Sequence, residues 1–253
     1  MKRLITGFFM SWGMFCAIPC PLKRWDEKAK GLMLLMLPLI GAMIGALWAL
    51  AAFLLCMAAL PGLMTAGLLT VIPYLLTGFI HLDGYMDCCD AILSRRDTEE
   101  RRRILKDSHT GAFAVIALTV VILLSFSFLT GLSDRTPVWC LIFLPAASRC
   151  VSALGVMSLS PMPGSSYEKV QPEVSNGCRA GAWILLVAAA VLPMLLFGWT
   201  GLCAVVTMAV SALAMFRGRS QLGGMNGDIS GFAITLGECA GICALVLLSG
   251  GIV

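Results

Sequence analysis

Residues 31–59, GLMLLMLPLIGAMIGALWALAAFLLCMAA, decide the fold class because they form a long run without a single charged side chain. A helix of about 20 apolar residues crosses the roughly 30 Å hydrocarbon core of a bilayer at 1.5 Å per residue. The whole 253-residue chain has the same character, with 59% hydrophobic and only 13% charged residues. Soluble domains carry about 25% charged residues. The sequence therefore predicts an all-α membrane protein that forms a single integral membrane domain, residues 1–253.

Further apolar runs are long enough to predict additional membrane-spanning helices. They lie at 62–80, 112–132, 137–159, 181–197, 199–216 and 229–251. The Gly-Trp-Thr-Gly sequence at 198–201 separates two of these runs, so we predict about seven transmembrane helices. The N-terminus has two basic residues followed by an apolar stretch but lacks an obvious signal-peptidase site. We therefore expect residues 4–20 to be retained as an interfacial or re-entrant segment.

The basic residues predict which side of the membrane each loop occupies. With seven spans, one side receives segments 20–30, 81–111, 160–180 and 217–228, which carry four, six, two and two lysine or arginine residues. The loops on the opposite side carry Arg135 alone. Cytoplasmic loops are enriched in Lys and Arg, so we expect the four segments to face the cytoplasm. The expected location is a cell membrane, with these four segments on its cytoplasmic side.

Charge and cysteine content argue against nucleic-acid binding, a disulfide framework and a structural zinc site. A net charge of +4 without a basic stripe does not indicate nucleic-acid binding. Most of the eleven cysteines lie inside apolar runs, and no CxxC pair exists. We therefore predict neither a disulfide framework nor a structural zinc site.

The strongest chemical signal is the acidic half of segment 81–111, HLDGYMDCCDAILSRRDTEERRRILKDSHTG. Asp83, Asp87 and Asp90 have i, i+4 and i+7 spacing, which places them within roughly 60° on one helical face. Three carboxylates on one face repel one another unless a cation holds them, and Mg²⁺ prefers oxygen ligands. A solvated acidic face is the alternative. The position directly after an apolar span, beside His81, favours a metal site in a cytoplasmic catalytic segment.

Two other polar stretches are candidates for the same site. Lys106, Asp107 and Ser108 immediately precede a new span, where a lysine, a hydroxyl and a helix N-terminus favour phosphate binding. Lys106 is equally consistent with an interfacial anchor. The glycine-rich stretch 223–231 includes Gly227, which permits close backbone approach, and Asp228, which is a candidate metal ligand or an N-cap.

Arg149 and Glu238 are ionisable residues inside predicted spans. Such residues are costly and usually face a cavity or a partner. Arg149 is a candidate clamp for phosphate oxygens and Glu238 a candidate substrate contact, while a structural Arg149–Glu238 pair is the alternative.

Three of these stretches together resemble a known family. HLDGYMDCCDAI at 81–92, RRRILKDSHTGAFAVIAL at 101–118 and LGGMNGDISG at 222–231 are similar, in order and spacing, to motifs of the cobalamin synthase family. These are the adenosylcobinamide-GDP ribazoletransferases of bacteria and archaea. The resemblance extends from about residue 38 to the last span, and the opening FMSWGMFCAIPCP is also similar. The chain departs from the family pattern at Ala91, His109–Thr110, Asn226 and Thr235.

The resemblance implies an Mg²⁺-dependent transferase that joins adenosylcobinamide-GDP to α-ribazole or its 5′-phosphate and releases GMP. By this resemblance, Mg²⁺ bound by the aspartates neutralises the pyrophosphate, and one of the carboxylates or His81 takes the proton from the attacking 5′-oxygen. Lys106 and Arg149 hold phosphate oxygens, and Asp228 completes the metal site or orients the nucleoside. Expected partners are the two substrates and the lipid bilayer. A homo-oligomer or an association with other cobamide-assembly enzymes is compatible with this assignment.

Two other functions remain open. A CDP-alcohol-type phosphotransferase of lipid synthesis also uses aspartates at a membrane surface, although Ala91 and the missing downstream aspartate pair depart from that pattern. A cation-coupled transporter would place its acids near the bilayer midplane.

Overall fold

The computed structural model describes residues 2–250, and these residues form an all-α structure without a β-strand. The predicted class is therefore confirmed. The α-helices are α1 (Lys2–Phe15), α2 (Lys30–Met57), α3 (Gly62–Leu76), α4 (Ile80–Leu93), α5 (Thr98–Leu105), α6 (Ala112–Leu129), α7 (Phe143–Ser158), α8 (Asn176–Phe197), α9 (Leu202–Leu222) and α10 (Gly227–Leu248). Short 3₁₀ helices lie at Glu27–Ala29, Val138–Ile142, Ser166–Lys169, Gln171–Glu173 and Gly198–Gly201.

Several helical segments are long and apolar enough to cross a membrane. Within residues 2–250, five segments meet this criterion by length and composition, namely Glu27–Met57, Ala112–Leu129, Val138–Ser158, Asn176–Leu222 and Gly227–Leu248. The bent pair α3–α4 adds a sixth. Large apolar side chains such as Ile184, Leu195 and Leu213 are exposed on the outside of the bundle, as a lipid-facing surface requires. The chain is a multi-pass membrane protein.

The long segment Asn176–Leu222 folds back on itself at Gly198–Gly201, where the sequence predicts a break. Gly201 packs against the backbone of Pro193, and any side chain at Gly201 would collide with the Pro193 carbonyl group. Residues eight apart in a continuous helix are separated by about 12 Å along the axis. The contact therefore makes α8 and α9 a helical hairpin.

The predicted span 62–80 is wrong at its C-terminal end. Helix α3 ends at Leu76, and Gly78 and Phe79 both have positive φ angles, 61° and 64°. A right-handed helix cannot continue through two such residues. The chain consequently turns by 93° before α4 begins, so the aspartate-bearing helix does not prolong the span.

Helix α4 crosses α10 at two glycines. A Cβ atom on Gly84 would lie 2.8 Å from the Cα of Asp228, and one on Gly231 would lie 2.6 Å from the carbonyl oxygen of His81. The hydroxyl of Thr235 donates a hydrogen bond of 3.3 Å to the same oxygen. The crossing brings the motifs at 81–84 and 227–231 into direct backbone contact.

We expect Gly231→Ala to force α4 and α10 apart, since the new methyl group meets rigid backbone. Overpacking typically costs about 1–3 kcal/mol, which predicts a fall of roughly 5 °C in the apparent Tm of the detergent-solubilised protein. Gly67→Ala in α3 is the matched control, because its nearest neighbour is 3.9 Å away on the Phe126 ring. An equal Tm for both variants would contradict the close crossing.

Candidate active site

A cavity of about 380 Å³ lies at the end of the bundle where α4 meets α10. The cavity is lined by residues from all four segments that the basic residues assign to one side of the membrane. These segments are 20–30, 81–111, 160–180 and 217–228. The polar and aromatic lining residues include Trp25, Lys30, His81, Asp83, Ser166, Tyr167, Lys169, Asp228 and Ser230. The four segments therefore share one face of the protein.

Asp83 and Asp228 supply the acidic wall of this cavity. Asn226, not Asp228, caps helix α10, because its side-chain oxygen accepts a hydrogen bond of 3.0 Å from the Ile229 N–H. The Asn226 amide also donates to the Asp228 carboxylate at 2.6 Å and orients it. Among residues 2–250, the Asp83 carboxylate has neither a hydrogen bond nor an ion pair. Both acids thus keep oxygen atoms available for a ligand.

The other two acids of α4 are placed differently. All three aspartates lie on one helix, as predicted, but Asp90 lines a separate cavity of about 250 Å³ with Asp107, His109 and Gly111. Half-buried Asp87 lies within electrostatic range of Asp83, Asp90 and Asp228. In the part of the chain that the structure describes, no three His, Cys, Asp or Glu side chains are arranged to hold a metal ion. The expected convergence of the triplet on one ion is therefore not observed.

The donor set of the main cavity still fits Mg²⁺. This ion is commonly held by one or two carboxylates, with substrate phosphates and water completing an octahedron. Asp83 and Asp228 provide two carboxylates on one cavity wall. The cavity leaves room for a phosphate beside them.

The cations that line the cavity are not Lys106 and Arg149, the two that the sequence analysis expected to bind phosphate. Lys106 and Ser108 are exposed and line neither this cavity nor the smaller one. Lys30, which forms an ion pair with Glu27, and Lys169 line the cavity instead. Sequence reasoning counted both lysines only as topological anchors, because both lie in polar stretches between apolar runs. Nothing in the sequence distinguishes a lysine that faces a cavity from one that faces lipid headgroups.

Asp107 belongs to a local turn beside the smaller cavity. Its carboxylate accepts hydrogen bonds from the His109 ring at 2.7 Å and from the His109 backbone N–H at 3.0 Å. The side-chain hydrogen bond from His109 is the main cause that lowers the pKa of Asp107. Asp107 therefore has a structural partner and lies outside the main cavity, apart from the predicted substrate site.

Arg149 and Glu238 pair with each other inside the bundle. Arg149 is only 1% exposed. It donates to Glu238 at 2.6 Å and to the Pro145 carbonyl at 3.1 Å, while Ser148 donates to Glu238 at 2.8 Å. Neither Arg149 nor Glu238 lines the cavity. Of the two predicted roles, the structure supports the ion pair.

His81 faces the cavity from the start of α4. Its ring stacks on Phe15, with ring centroids 6.2 Å apart and planes inclined by 16°. Its Nε2 atom is buried and has no hydrogen-bond partner among residues 2–250. Buried polar atoms are rarely left unpaired, so Nε2 is available for a ligand or for water.

Comparison with known proteins assigns the family. Residues 7–246 match the family model described as CobS, cobalamin-5-phosphate synthase. A protein of Clostridium perfringens strain 13 named adenosylcobinamide-GDP ribazoletransferase is 37% identical, over 98% of this chain and 100% of the relative. Proteins of the same name from Clostridium botulinum strain Alaska E43 and Lachnoclostridium phytofermentans are 34% and 31% identical, over 98% and 99% of this chain and 100% and 97% of the relatives. No solved structure matches significantly. The chain belongs to the cobalamin-5-phosphate synthase family.

Proposed function

We propose that this chain catalyses the reaction that the name of its relatives describes. It joins adenosylcobinamide-GDP to α-ribazole, or to α-ribazole 5′-phosphate, and releases GMP. The observation that carries the proposal is one cavity that is lined both by Asp83 and Asp228, from the two glycine motifs, and by Lys30 and Lys169, from other segments. Carboxylates that can bind a divalent cation, together with ammonium groups, suit a pyrophosphate substrate.

The proposed chemistry is substitution at phosphorus. A ribose hydroxyl oxygen of the nucleoside forms a bond to the phosphorus that carries the cobinamide. The bond between that phosphorus and the bridging oxygen breaks, GMP leaves with this oxygen, and the hydroxyl proton passes to a base. In such reactions positioning and charge stabilisation supply most of the catalysis.

The family description favours a nucleophile other than the 5′-oxygen that was expected above. A cobalamin 5-phosphate product requires that the 5′-oxygen of α-ribazole 5′-phosphate keeps its own phosphate. The 5′-oxygen therefore cannot be the attacking atom, as the resemblance had led us to expect. Another hydroxyl of the ribose must attack.

The charged and polar side chains of the cavity have separate roles in this proposal. Asp83 and Asp228 would hold Mg²⁺, which when bound neutralises charge on the phosphates. Lys30 and Lys169 bind phosphate oxygens through their ammonium groups. The unpaired Nε2 atom of His81 accepts the proton of the attacking hydroxyl. Tyr167 and the cavity hydroxyls orient the substrates by hydrogen bonds.

We further propose seven membrane crossings, by α2, α3, α6, α7, α8, α9 and α10. The cavity draws residues from four segments that are separated by pairs of helices. An even number of crossings must lie between any two segments on one side, so α3 crosses with α2, and α8 crosses with α9. The charge distribution supports a cavity on the cytoplasmic side of the bacterial cell membrane as part of this proposal.

We expect Asp83→Asn and Asp228→Asn each to reduce kcat by at least about 100-fold, because each removes a charged cation ligand. The measurement is GMP release from adenosylcobinamide-GDP by purified, folded protein, with and without added Mg²⁺. Asp134→Asn, an exposed acid of the loop between α6 and α7, is the control and should retain full activity. Full activity in both site variants would refute the proposed site. The same assay separates this enzyme from a transporter, which would release no GMP, and from a lipid phosphotransferase, which would require a CDP-alcohol.

We expect Lys169→Ala and Lys30→Ala to raise KM for adenosylcobinamide-GDP by about 10-fold, because each removes an ammonium group from the cavity wall. Lys106→Ala, outside the cavity, should change KM by less than about twofold. Steady-state kinetics of the three variants decide between the cations indicated by the structure and the one indicated by the sequence. A larger effect at Lys106 would show that residues 106–111 move into the site.

We expect Glu238→Leu to lower stability by about 3–5 kcal/mol, because it leaves the buried Arg149 charge unpaired. The double variant Arg149→Met with Glu238→Leu should recover most of this loss and remain active. Thermal unfolding in detergent and the GMP-release assay provide the two readouts. A stable but inactive double variant would restore the predicted role of Arg149 as a phosphate clamp.

A further inference from the structure

A second cavity lies beside the first and is not used by the chemistry above. This N-terminal groove has a volume of about 530 Å³ and is lined by residues that include Phe9, Met14, Ile18, Lys23, Arg24 and Trp25. We propose that it binds the guanosine monophosphate portion of the activated substrate, which becomes the leaving group. The inference rests on the proposed function, because it assigns one part of that substrate to one part of the protein.

The groove adjoins the catalytic cavity. Met14 and Trp25 line both. A ligand whose reacting phosphate lies between Asp83 and Asp228 can therefore extend past these two side chains into the groove. A nucleotide joined through a pyrophosphate has this extended shape.

The charge of the groove matches a phosphate group. Lys23 and Arg24 are exposed on its rim, and neither forms an ion pair with a carboxylate of residues 2–250. The corrin part of the substrate offers neutral amides to such a rim, whereas the nucleotide offers anionic oxygens. Two unpaired cations therefore favour the nucleotide end.

An oriented aromatic ring and an adjacent acid match guanine. Trp25 is 55% exposed, and its indole N–H donates to the carboxylate of Glu27, which fixes the ring. Planar bases stack on such rings. Glu27 lies beside the lining of the groove, where its side chain is 66% exposed and also forms an ion pair with Lys30. Each carboxylate oxygen accepts more than one hydrogen bond, so Glu27 is still an acceptor for the N1–H and 2-amino donors of guanine. The benzimidazole base of α-ribazole has no N–H donor to offer it.

The wall of the groove is held in place by hydrogen bonds, so that it can act as a preformed site. The Trp12 indole donates to the Ile18 carbonyl at 2.9 Å, and the Ala17 N–H donates to the Leu76 carbonyl at 2.8 Å. The second bond ties the groove to the end of α3. A preformed wall reduces the entropy lost when a ligand binds.

The first test is Trp25→Leu. We expect KM for adenosylcobinamide-GDP and the inhibition constant of GMP both to rise about 10-fold, while KM for α-ribazole stays unchanged. Trp199→Leu, at 79% exposure in the α8–α9 turn, is the matched control and should leave all three constants unchanged. A rise in KM for α-ribazole, with GMP inhibition unchanged, would overturn the proposal and assign the groove to the nucleophile.

The second test uses the base itself. GMP should inhibit more strongly than IMP, which lacks the 2-amino group, and Glu27→Gln should reduce this preference about 5-fold or more. A GMP-to-IMP ratio unchanged by Glu27→Gln would contradict guanine recognition here.

Calorimetric titration of GMP into the detergent-solubilised wild type and Trp25→Leu measures binding in the groove without turnover. A protein that binds GMP through Trp25 but transfers nothing would refute the transferase and retain the groove, whereas equal GMP affinity in an active Trp25→Leu enzyme would refute the groove alone.

Discussion

The close crossing of α4 and α10 is the constraint on which the rest of the site depends. Gly84 lies against the backbone of Asp228, and Gly231 lies against the carbonyl group of His81. Without side chains at these two positions the helices approach closely enough for Asp83 and Asp228 to share one cavity wall. Small residues allow such approach between membrane helices, where dispersion contacts replace the hydrophobic effect as the driving force. The glycines of the two motifs thus have a packing role, and the aspartates beside them have a chemical one.

Ionisable groups in the interior of the bundle and those at its open end are stabilised in different ways. Arg149 and Glu238 pair with each other, with further hydrogen bonds from Ser148 and to a backbone carbonyl, and the buried Nε of Arg149 has no partner among residues 2–250. Within the same residues, Asp83 has no such partner, and the Asp228 carboxylate accepts a hydrogen bond only from the side chain of Asn226. A charge that the protein does not neutralise is stable only where water or a ligand reaches it. The open end of the bundle provides that access, and the interior does not.

Much of this architecture follows from the chain alone, since charge-free runs, the 198–201 break and the helical spacing of the α4 aspartates are local properties. The predictions that the structure does not support are those that depend on tertiary packing. The positive φ angles at Gly78 and Phe79 ended the second span early, although an apolar run gives no sign of a turn. The cavity lysines resembled anchors, and an i, i+4, i+7 spacing did not reveal that Asp90 meets Gly111 in another cavity. Sequence spacing predicts which face a side chain occupies, but only packing decides what that face meets.

Only Asp83 and Asp228, and not all four acids, line the main cavity. The proposed reaction gives a physical reason for this arrangement. A site that gathered four acids around one ion would supply most of its coordination from the protein and leave few positions for phosphate. Two carboxylates, two lysines and an unpaired imidazole nitrogen leave most positions around a cation open. The pyrophosphate of the substrate would supply further ligands to a cation held by Asp83 and Asp228, and Lys30 and Lys169 would bind its other oxygens. Because the carboxylates and the phosphates are all anionic, the cation and the two lysines would balance both, and the site would be complete only when the reacting group is in place.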